Sequence, residues 1–147
     1  MAIINQATKE LQVKIVYYGP AKSGKTTNLE SIYGNVQTAN PESKTKIVSL
    51  ATSSDRTLFF DFFPLETVTI KGYKTKFQLY TVPGQVIYNT TRQLVLRGVD
   101  GLVFVADSTY EKMEENVESF KNIENNLKTL KLNLARSEEH TSELQSR

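Results

Sequence analysis

The sequence predicts an α/β fold, a mostly parallel sheet with flanking helices. Three observations carry that expectation. Apolar, β-branched runs alternate with stretches of helical period, the order that builds parallel sheets. The run Gly101–Asp107 (Gly-Leu-Val-Phe-Val-Ala-Asp) is apolar up to its aspartate, as a parallel strand covered on both faces tends to be. Between a strand-like and a helix-like segment stands Gly19-Pro20-Ala21-Lys22-Ser23-Gly24-Lys25-Thr26, which matches the phosphate-loop pattern G-x-x-x-x-G-K-[ST].

The elements follow in order. Leu11–Tyr18 is rich in β-branched and aromatic residues and predicts a strand. After Thr26, the positions of Leu29, Ile32 and Tyr33 predict a helix, with Gly34 as its stop. Asn35–Lys46 is polar, contains Pro41 and has no period, so a loop is expected, followed by an ordered Ile47–Ala51. Ser53–Pro64 holds Phe59, Phe60, Phe62 and Phe63, four of the seven phenylalanines. Such a segment is either a strand covered on both faces or a nucleotide-sensing segment whose aromatics dock on a partner; the two are compatible. Val68–Ile70 and Tyr73–Val82 flank Lys71-Gly72, which predicts a hairpin with a two-residue turn. Lys74, Lys76 and Gln78 alternate with Thr75, Phe77 and Leu79, so one face of that strand should be less buried. Thr81-Val82-Pro83-Gly84-Gln85 ends it.

Asn89–Arg97, with Leu94 and Val95, predicts a short helix closed by Gly98. Beyond Gly101–Asp107, Met113, Val117, Phe120, Ile123, Leu127, Leu130 and Leu134 recur every three or four residues, predicting a long helix whose apolar stripe is core packing. The resulting sheet should be parallel with one antiparallel edge strand. No internal repeat is visible.

Composition bounds the chemistry. The 147 residues suffice for one domain with a real core, and a formal charge of +2 gives no pull toward nucleic acid. The absence of cysteine excludes disulfides and cysteine–zinc sites, and the single histidine, His140, argues against histidine-based catalysis. Met1–Glu10 has no signal-peptide character and no run approaches 18 apolar residues, so a cytoplasmic location is expected. Residues 1–135 read as a partial domain cut off near Leu134 or Ala135. Residues 136–147 (Arg-Ser-Glu-Glu-His-Thr-Ser-Glu-Leu-Gln-Ser-Arg) are polar and aperiodic, resemble translated sequencing-adapter DNA, and are set aside as a non-native, disordered tail.

The glycine loop makes a specific demand. A triphosphate needs successive N–H groups turned inward, here those of Ala21, Lys22, Ser23, Gly24, Lys25, Thr26 and Thr27, with a helix N-terminus adding free donors. Gly19 and Gly24 permit the tight path. Lys25 is placed to reach the β- and γ-phosphates, and the Thr26 hydroxyl to ligate Mg²⁺. The plain alternative is an ordinary glycine-rich turn between strand and helix; the order strand, glycine loop, helix is the one the motif requires.

With these residues in hand, the chain resembles the small GTPases of the Ras superfamily, in the bacterial MglA branch concerned with gliding motility and cell polarity. The resemblance spans about residues 11 to 134. It rests on Gly19–Thr26, on Asp55-Arg56-Thr57-Leu58-Phe59-Phe60-Asp61-Phe62-Phe63-Pro64, on Tyr80-Thr81-Val82-Pro83-Gly84-Gln85, and on Gly98–Ser108. It implies a Ras-like P-loop NTPase fold, here ending after the third major helix, and a GTP/GDP switch dependent on Mg²⁺. It implies Thr57 as the second threonine on Mg²⁺, Gly84 as an N–H donor to the γ-phosphate, Gln85 as the residue orienting the attacking water, and Arg56 as an arginine finger supplied in cis. A surface ion-pairing role is the other reading of Arg56.

The implied partners are the guanine nucleotide, a roadblock-fold activating protein of the MglB type, and response-regulator-type polarity effectors. One departure stands out: most small GTPases have aspartate where this sequence has Thr81, so a neutral hydroxyl replaces a negative charge near the metal. Pro83 stiffens the same segment. The Asn-Lys-x-Asp motif that selects guanine over adenine is absent from these 147 residues, and a complete domain of this kind needs two more strands and two more helices. Two rivals share the loop: a P-loop kinase of a small metabolite, and a catalytically silent nucleotide-binding scaffold. Ala2 excludes myristoylation, and the sequence leaves membrane attachment open.

Overall fold

The structure is a computed structural model that describes residues 3–39, 46–51, 56–62, 69–70, 72–84 and 88–130. Its strands are β1 (Ile3–Asn5), β2 (Glu10–Tyr18), β3 (Val48–Ala51), β4 (Arg56–Phe62), β5 (Thr69–Ile70), β6 (Tyr73–Thr81) and β7 (Gly101–Phe104). The helices are α1 (Lys25–Ala39), α2 (Asn89–Leu96) and α3 (Met113–Thr129), the last preceded by a single 3₁₀ turn at Tyr110–Lys112.

The strands form one sheet in the order β1-β2-β6-β4-β3, with β5 on β6 and β7 on β2. The parallel heart is β2 between β6 and β7. Since β6 occupies one edge of β2 along Glu10–Tyr17, β1 and β7 share the other edge. There β1 runs antiparallel beside Glu10–Gln12, and β7 runs parallel beside Ile15–Tyr18. On the far side, β4 is antiparallel to β6 and β3 antiparallel to β4.

Alternation along β2 builds the two cores, because successive side chains point to opposite faces. Val16 and Tyr18 join Val82, Leu96, Val99, Leu102, Ile123 and Leu127 beneath α2 and α3. Ile15 and Tyr17 face the other way and pack with Leu29 of α1, Leu58 and Leu79. Leu29 is fully buried, so its truncation to alanine would cost about 2–5 kcal/mol. A second fastening sits on the lower half of the sheet. The Lys14 N–H donates to Asp100 Oδ2 at 2.8 Å, and the Asp100 N–H returns to the Lys14 carbonyl at 2.8 Å. The Lys14 ammonium donates to the Arg97 carbonyl just past α2 at 2.7 Å and lies 4.6 Å from the centre of the Tyr80 ring. Burial pulls the Lys14 pKa below its ordinary value, against the opposing attraction of Asp100.

Several expectations hold: the strand ending at Tyr18, the Ile70–Tyr73 hairpin with Gly72 at φ 82°, and a short α2 followed by Gly98 at φ 71°. Others are corrected. Gly34 does not stop α1, which continues to Ala39; its φ is not positive and no atom crowds it, so it is carried as an ordinary helical residue. The expected loop Asn35–Lys46 is therefore helical over its first five residues, and residues 40–45 lie outside the described ones. The amino-terminal β1 was not legible, and antiparallel pairing extends to β1, β3, β4 and β5 rather than one edge strand.

Gly101–Asp107 gives only a four-residue strand. Among the described residues it pairs with β2 alone. The apolar stripe of the long helix is core only in its second half. Ile123 and Leu127 are buried, whereas Met113, Val117 and Phe120 are exposed, and Leu134 lies outside the described residues. A helical period reports an apolar face without saying what covers it. Phe120 meets Phe104 edge-to-face, their ring centroids 5.6 Å apart. Phe63 and the tail 136–147 also lie outside the described residues.

Candidate nucleotide site

The glycine loop follows β2 at the end of the parallel heart of the sheet, where a strand hands over to a helix N-terminus. Its backbone takes the path the motif requires. Gly19 has φ 154°, Lys22 φ 60° and Gly24 φ 105°, three positive values in six residues. Gly19 is also sterically obligatory, because a Cβ there would lie 2.1 Å from the Val105 carbonyl oxygen. That contact arises because the Val105 N–H donates to the Tyr18 carbonyl at 2.7 Å, which draws the end of β7 against the loop.

Lys25 opens α1 and is 5% exposed. Its ammonium donates to the Gly19 carbonyl at 2.9 Å and to the Pro20 carbonyl at 2.6 Å. A buried ammonium held by carbonyl dipoles is a cation set in place, ready for phosphate oxygens. Thr26 is half-buried beside it and Thr27 is exposed. The Ser23 hydroxyl oxygen is buried without a hydrogen-bond partner, a polar atom inside the loop that an anion's surroundings would satisfy. Among the described residues no group of three or more His, Asp or Glu side chains gathers to hold a metal. Thr26, at the start of α1, carries a hydroxyl oxygen, a hard donor of the kind that suits Mg²⁺.

Gly84 comes to the loop from β6. A Cβ at Gly84 would stand 2.3 Å from the Ala21 nitrogen, 2.6 Å from the Ala21 Cα and 2.7 Å from the Pro20 carbonyl carbon. The γ-phosphate-sensing glycine expected from sequence is thus pressed onto the loop backbone, and glycine is demanded by contact rather than by φ. Gly19, Ala21 and Gly84 also line a cavity of about 430 Å³ closed by Arg92, Glu115, Glu118, Ser119 and Asn122. Neither Lys25 nor Thr26 lines it, so it lies beside the phosphate cradle.

Thr81 is fully buried, and its hydroxyl accepts the Leu58 N–H at 2.8 Å. The β4–β6 ladder runs from Phe62↔Phe77 to Phe59↔Tyr80, so this side-chain bond supplies the next rung. Arg56 and Thr57 are placed by their backbones at the start of β4, opposite Ala51 and Leu50 of β3. Gln85 lies outside the described residues.

A group of residues escaped the sequence reading. Arg92 of α2 is 5% exposed, whereas the apolar Leu94 beside it is 55% exposed. The Arg92 guanidinium donates to the Pro83 carbonyl at 2.9 Å, to Asn122 Oδ1 at 2.9 Å and to Asn89 Oδ1 at 3.4 Å. Asn126, also buried, donates to the Tyr18 hydroxyl and to Asn89 Oδ1, each at 3.0 Å. The Tyr18 hydroxyl in turn donates to Asn122 Oδ1. Burial raises the Tyr18 pKa, while the Arg92 charge and the hydrogen bonds from Asn126 and Arg92 pull it back. The available signal was the i, i+4 pair Asn122 and Asn126 beside the core residues Ile123 and Leu127, polar groups on a face that turns inward.

Comparison with known proteins is consistent with this geometry. The chain is 56% identical over 127 residues to the mutual gliding-motility protein MglA of Myxococcus xanthus (strain DK1622), which covers 86% of this chain and 64% of that protein. It is also 37% and 38% identical over 71 residues to the Ras-related protein Rab-13 of Canis lupus familiaris and Bos taurus. The chain is thus similar to the Ras-like small GTPases. The match to Rab-13 covers 48% of this chain and 32% of each relative, and no family profile matches the chain. The chain therefore spans less than two thirds of the length of these curated relatives. Within the Ras-like frame, the loop Gly19–Thr26, Gly84 and the buried Lys25 fall at one end of the sheet, as the motifs lead one to expect.

Proposed function

We propose that the protein of which this chain is a part is a guanine-nucleotide switch that binds GTP, hydrolyses it with Mg²⁺, and acts in gliding motility or cell polarity. The observation that carries this reading is the meeting of Gly84 with the Pro20–Ala21 backbone beside a buried, carbonyl-held Lys25. That arrangement lets a segment outside the loop respond to the terminal phosphate. The 56% identity to MglA supports the biological setting.

Lys25 neutralises phosphate charge and the loop amides from Ala21 to Thr27 bind the phosphate oxygens. Thr26 and Thr57 would hold Mg²⁺, which would supply positive charge to offset the negative charge developing on the phosphate oxygens. Gly84 offers its N–H to the γ-phosphate. Gln85 orients the attacking water, and Arg56 brings its guanidinium to the transition-state oxygens in cis. A roadblock-type activating partner and polarity effectors would act on β4 and the segment after Gly84, in the cytoplasm. No helix among the described residues is long and apolar enough to cross a membrane.

The test is mass-spectrometric identification of nucleotide carried by the full-length protein, followed by a phosphate-release assay. GTP or GDP with slow release is the expected result. ATP consumed only when an acceptor is added would favour the kinase. Nucleotide bound without turnover would favour the silent scaffold. Lys25→Ala should abolish detectable binding, and retained affinity would overturn the assignment.

A further inference from the structure

We infer that Arg92 is a positioning residue of the nucleotide site, acting through the Pro83–Gly84 peptide to aim the Gly84 N–H. The inference rests on the switch reading above and deepens it. A peptide unit is planar and trans, so its C=O and N–H point in opposite directions. No cis peptide occurs among the described residues. The Arg92 guanidinium fixes the Pro83 carbonyl toward α2 and α3 at 2.9 Å. The N–H of the same peptide unit, which belongs to Gly84, is thereby turned away from those helices.

Three features make this a device and not an incidental contact. First, Gly84 cannot shift sideways, because its Cα face lies against Pro20 and Ala21; rotation of the peptide is the freedom that is left, and Arg92 controls it. Second, the guanidinium is itself held. Asn122 accepts from Nε and donates to Asn89 Oδ1 at 2.9 Å, while Asn89 Oδ1 also accepts from the Arg92 fork and from Asn126. A planar fork locked at two edges transmits direction in a way a flexible ammonium does not. Third, the same network reaches Tyr18, the residue immediately before Gly19, through Asn122 and Asn126. The residues that precede the loop glycine and the sensing glycine are therefore joined through one buried polar cluster. A displacement of α2 moves Arg92, turns the Pro83–Gly84 peptide and withdraws the donor.

The test uses the full-length protein, ¹⁵N-glycine labelled, as wild type, Arg92→Lys and Arg92→Met. Three quantities are measured: GDP affinity, single-turnover hydrolysis of preloaded GTP, and the Gly84 amide resonance with GDP and with a non-hydrolysable GTP analogue. In the wild type the Gly84 resonance should move between the two nucleotides. In Arg92→Met that movement should vanish and hydrolysis should fall roughly tenfold to a hundredfold, the scale of a misplaced catalytic contact, while GDP affinity stays within about threefold. Arg92→Lys, which keeps the charge and one donor but not the fork, should fall between. Losses of hydrolysis and GDP affinity in equal proportion would mean a merely structural residue and overturn the inference. So would hydrolysis within twofold of wild type, or an unchanged Gly84 shift, in either variant. If Arg92→Met fails to fold, the Arg92→Lys comparison decides alone. A wild type that neither binds nor hydrolyses GTP would instead refute the switch reading, a separate outcome seen before any variant is compared.

Discussion

Replacing Thr81 with valine removes one hydroxyl and almost no volume, which makes it a clean probe of how β4 is held. The hydroxyl accepts the Leu58 N–H at 2.8 Å in a fully buried position. Valine leaves that amide without an acceptor, and a methyl group cannot approach a nitrogen to 2.8 Å, so β4 must also retreat by a few tenths of an ångström. An orphaned buried donor costs about 1–3 kcal/mol. For a domain of this size that corresponds to a drop of roughly 3–12 °C in melting temperature. The assay is urea unfolding of the GDP-bound full-length protein, paired with hydrogen exchange at the Leu58 amide. Stability should fall by the stated amount, and Leu58 should lose protection ahead of Leu79 on the neighbouring strand. Thr81→Ser, which keeps the acceptor, should recover most of both. Equal stability of wild type and Thr81→Val, or unchanged Leu58 protection, would refute the idea that this hydroxyl pins the strand. Thr81→Asp introduces the carboxylate that most small GTPases carry there; a neutral hydroxyl that weakens Mg²⁺ retention predicts that this variant needs less Mg²⁺ for the same GTP affinity, and identical titrations would remove that idea.

Three further outcomes are expected. Gly84→Ala drives a methyl to within 2.3 Å of the Ala21 nitrogen, so the loop or the sensing segment must move; GTP hydrolysis should drop by about two orders of magnitude, and a crystal structure with an undisturbed Pro20–Ala21 backbone would contradict the steric account. Arg56→Ala should abolish stimulation of hydrolysis by an activating partner in single-turnover assays while leaving nucleotide affinity intact, and unchanged stimulation would exclude Arg56 from the chemistry. Burial raises the pKa of Tyr17 and Tyr18, so their neutral forms favour the fold: that contribution is complete below the ordinary tyrosine value of 10.0 and is lost as pH climbs through the raised values. Thermal stability should fall more steeply above pH 10 in the wild type than in Tyr18→Phe, and parallel pH profiles would count against this assignment.

Much of the site could be read from residue order because each demand was local. The glycine loop announces itself through Gly19, Gly24, Lys25 and Thr26, whose spacing encodes a backbone path. The hairpin at Gly72 and the stop at Gly98 are likewise local turn chemistry. What escaped was decided by partners distant in sequence. Gly34 reads as a helix stop because glycine usually ends helices, yet nothing in its surroundings demands a left-handed residue. Met113, Val117 and Phe120 share one face with Ile123 and Leu127, and no pattern within the helix says which half is covered. Nothing local to α2 singles out Arg92; its burial follows from Pro83, Asn89 and Asn122, which only the fold assembles. Thr81 reads from the sequence as a missing charge, while its bond to Leu58 depends on how β4 lies against β6.

The Lys14 fastening has a bearing on how α2 is able to travel. Its carboxyl end is tethered through the Arg97 carbonyl to the middle of β2, while Arg92, nearer its amino end, grips Pro83. A rod secured at two points cannot glide along its own axis without breaking both attachments together. Letting go of Pro83 alone leaves a hinge at the Lys14 end, so the helix swings outward like a gate on its post.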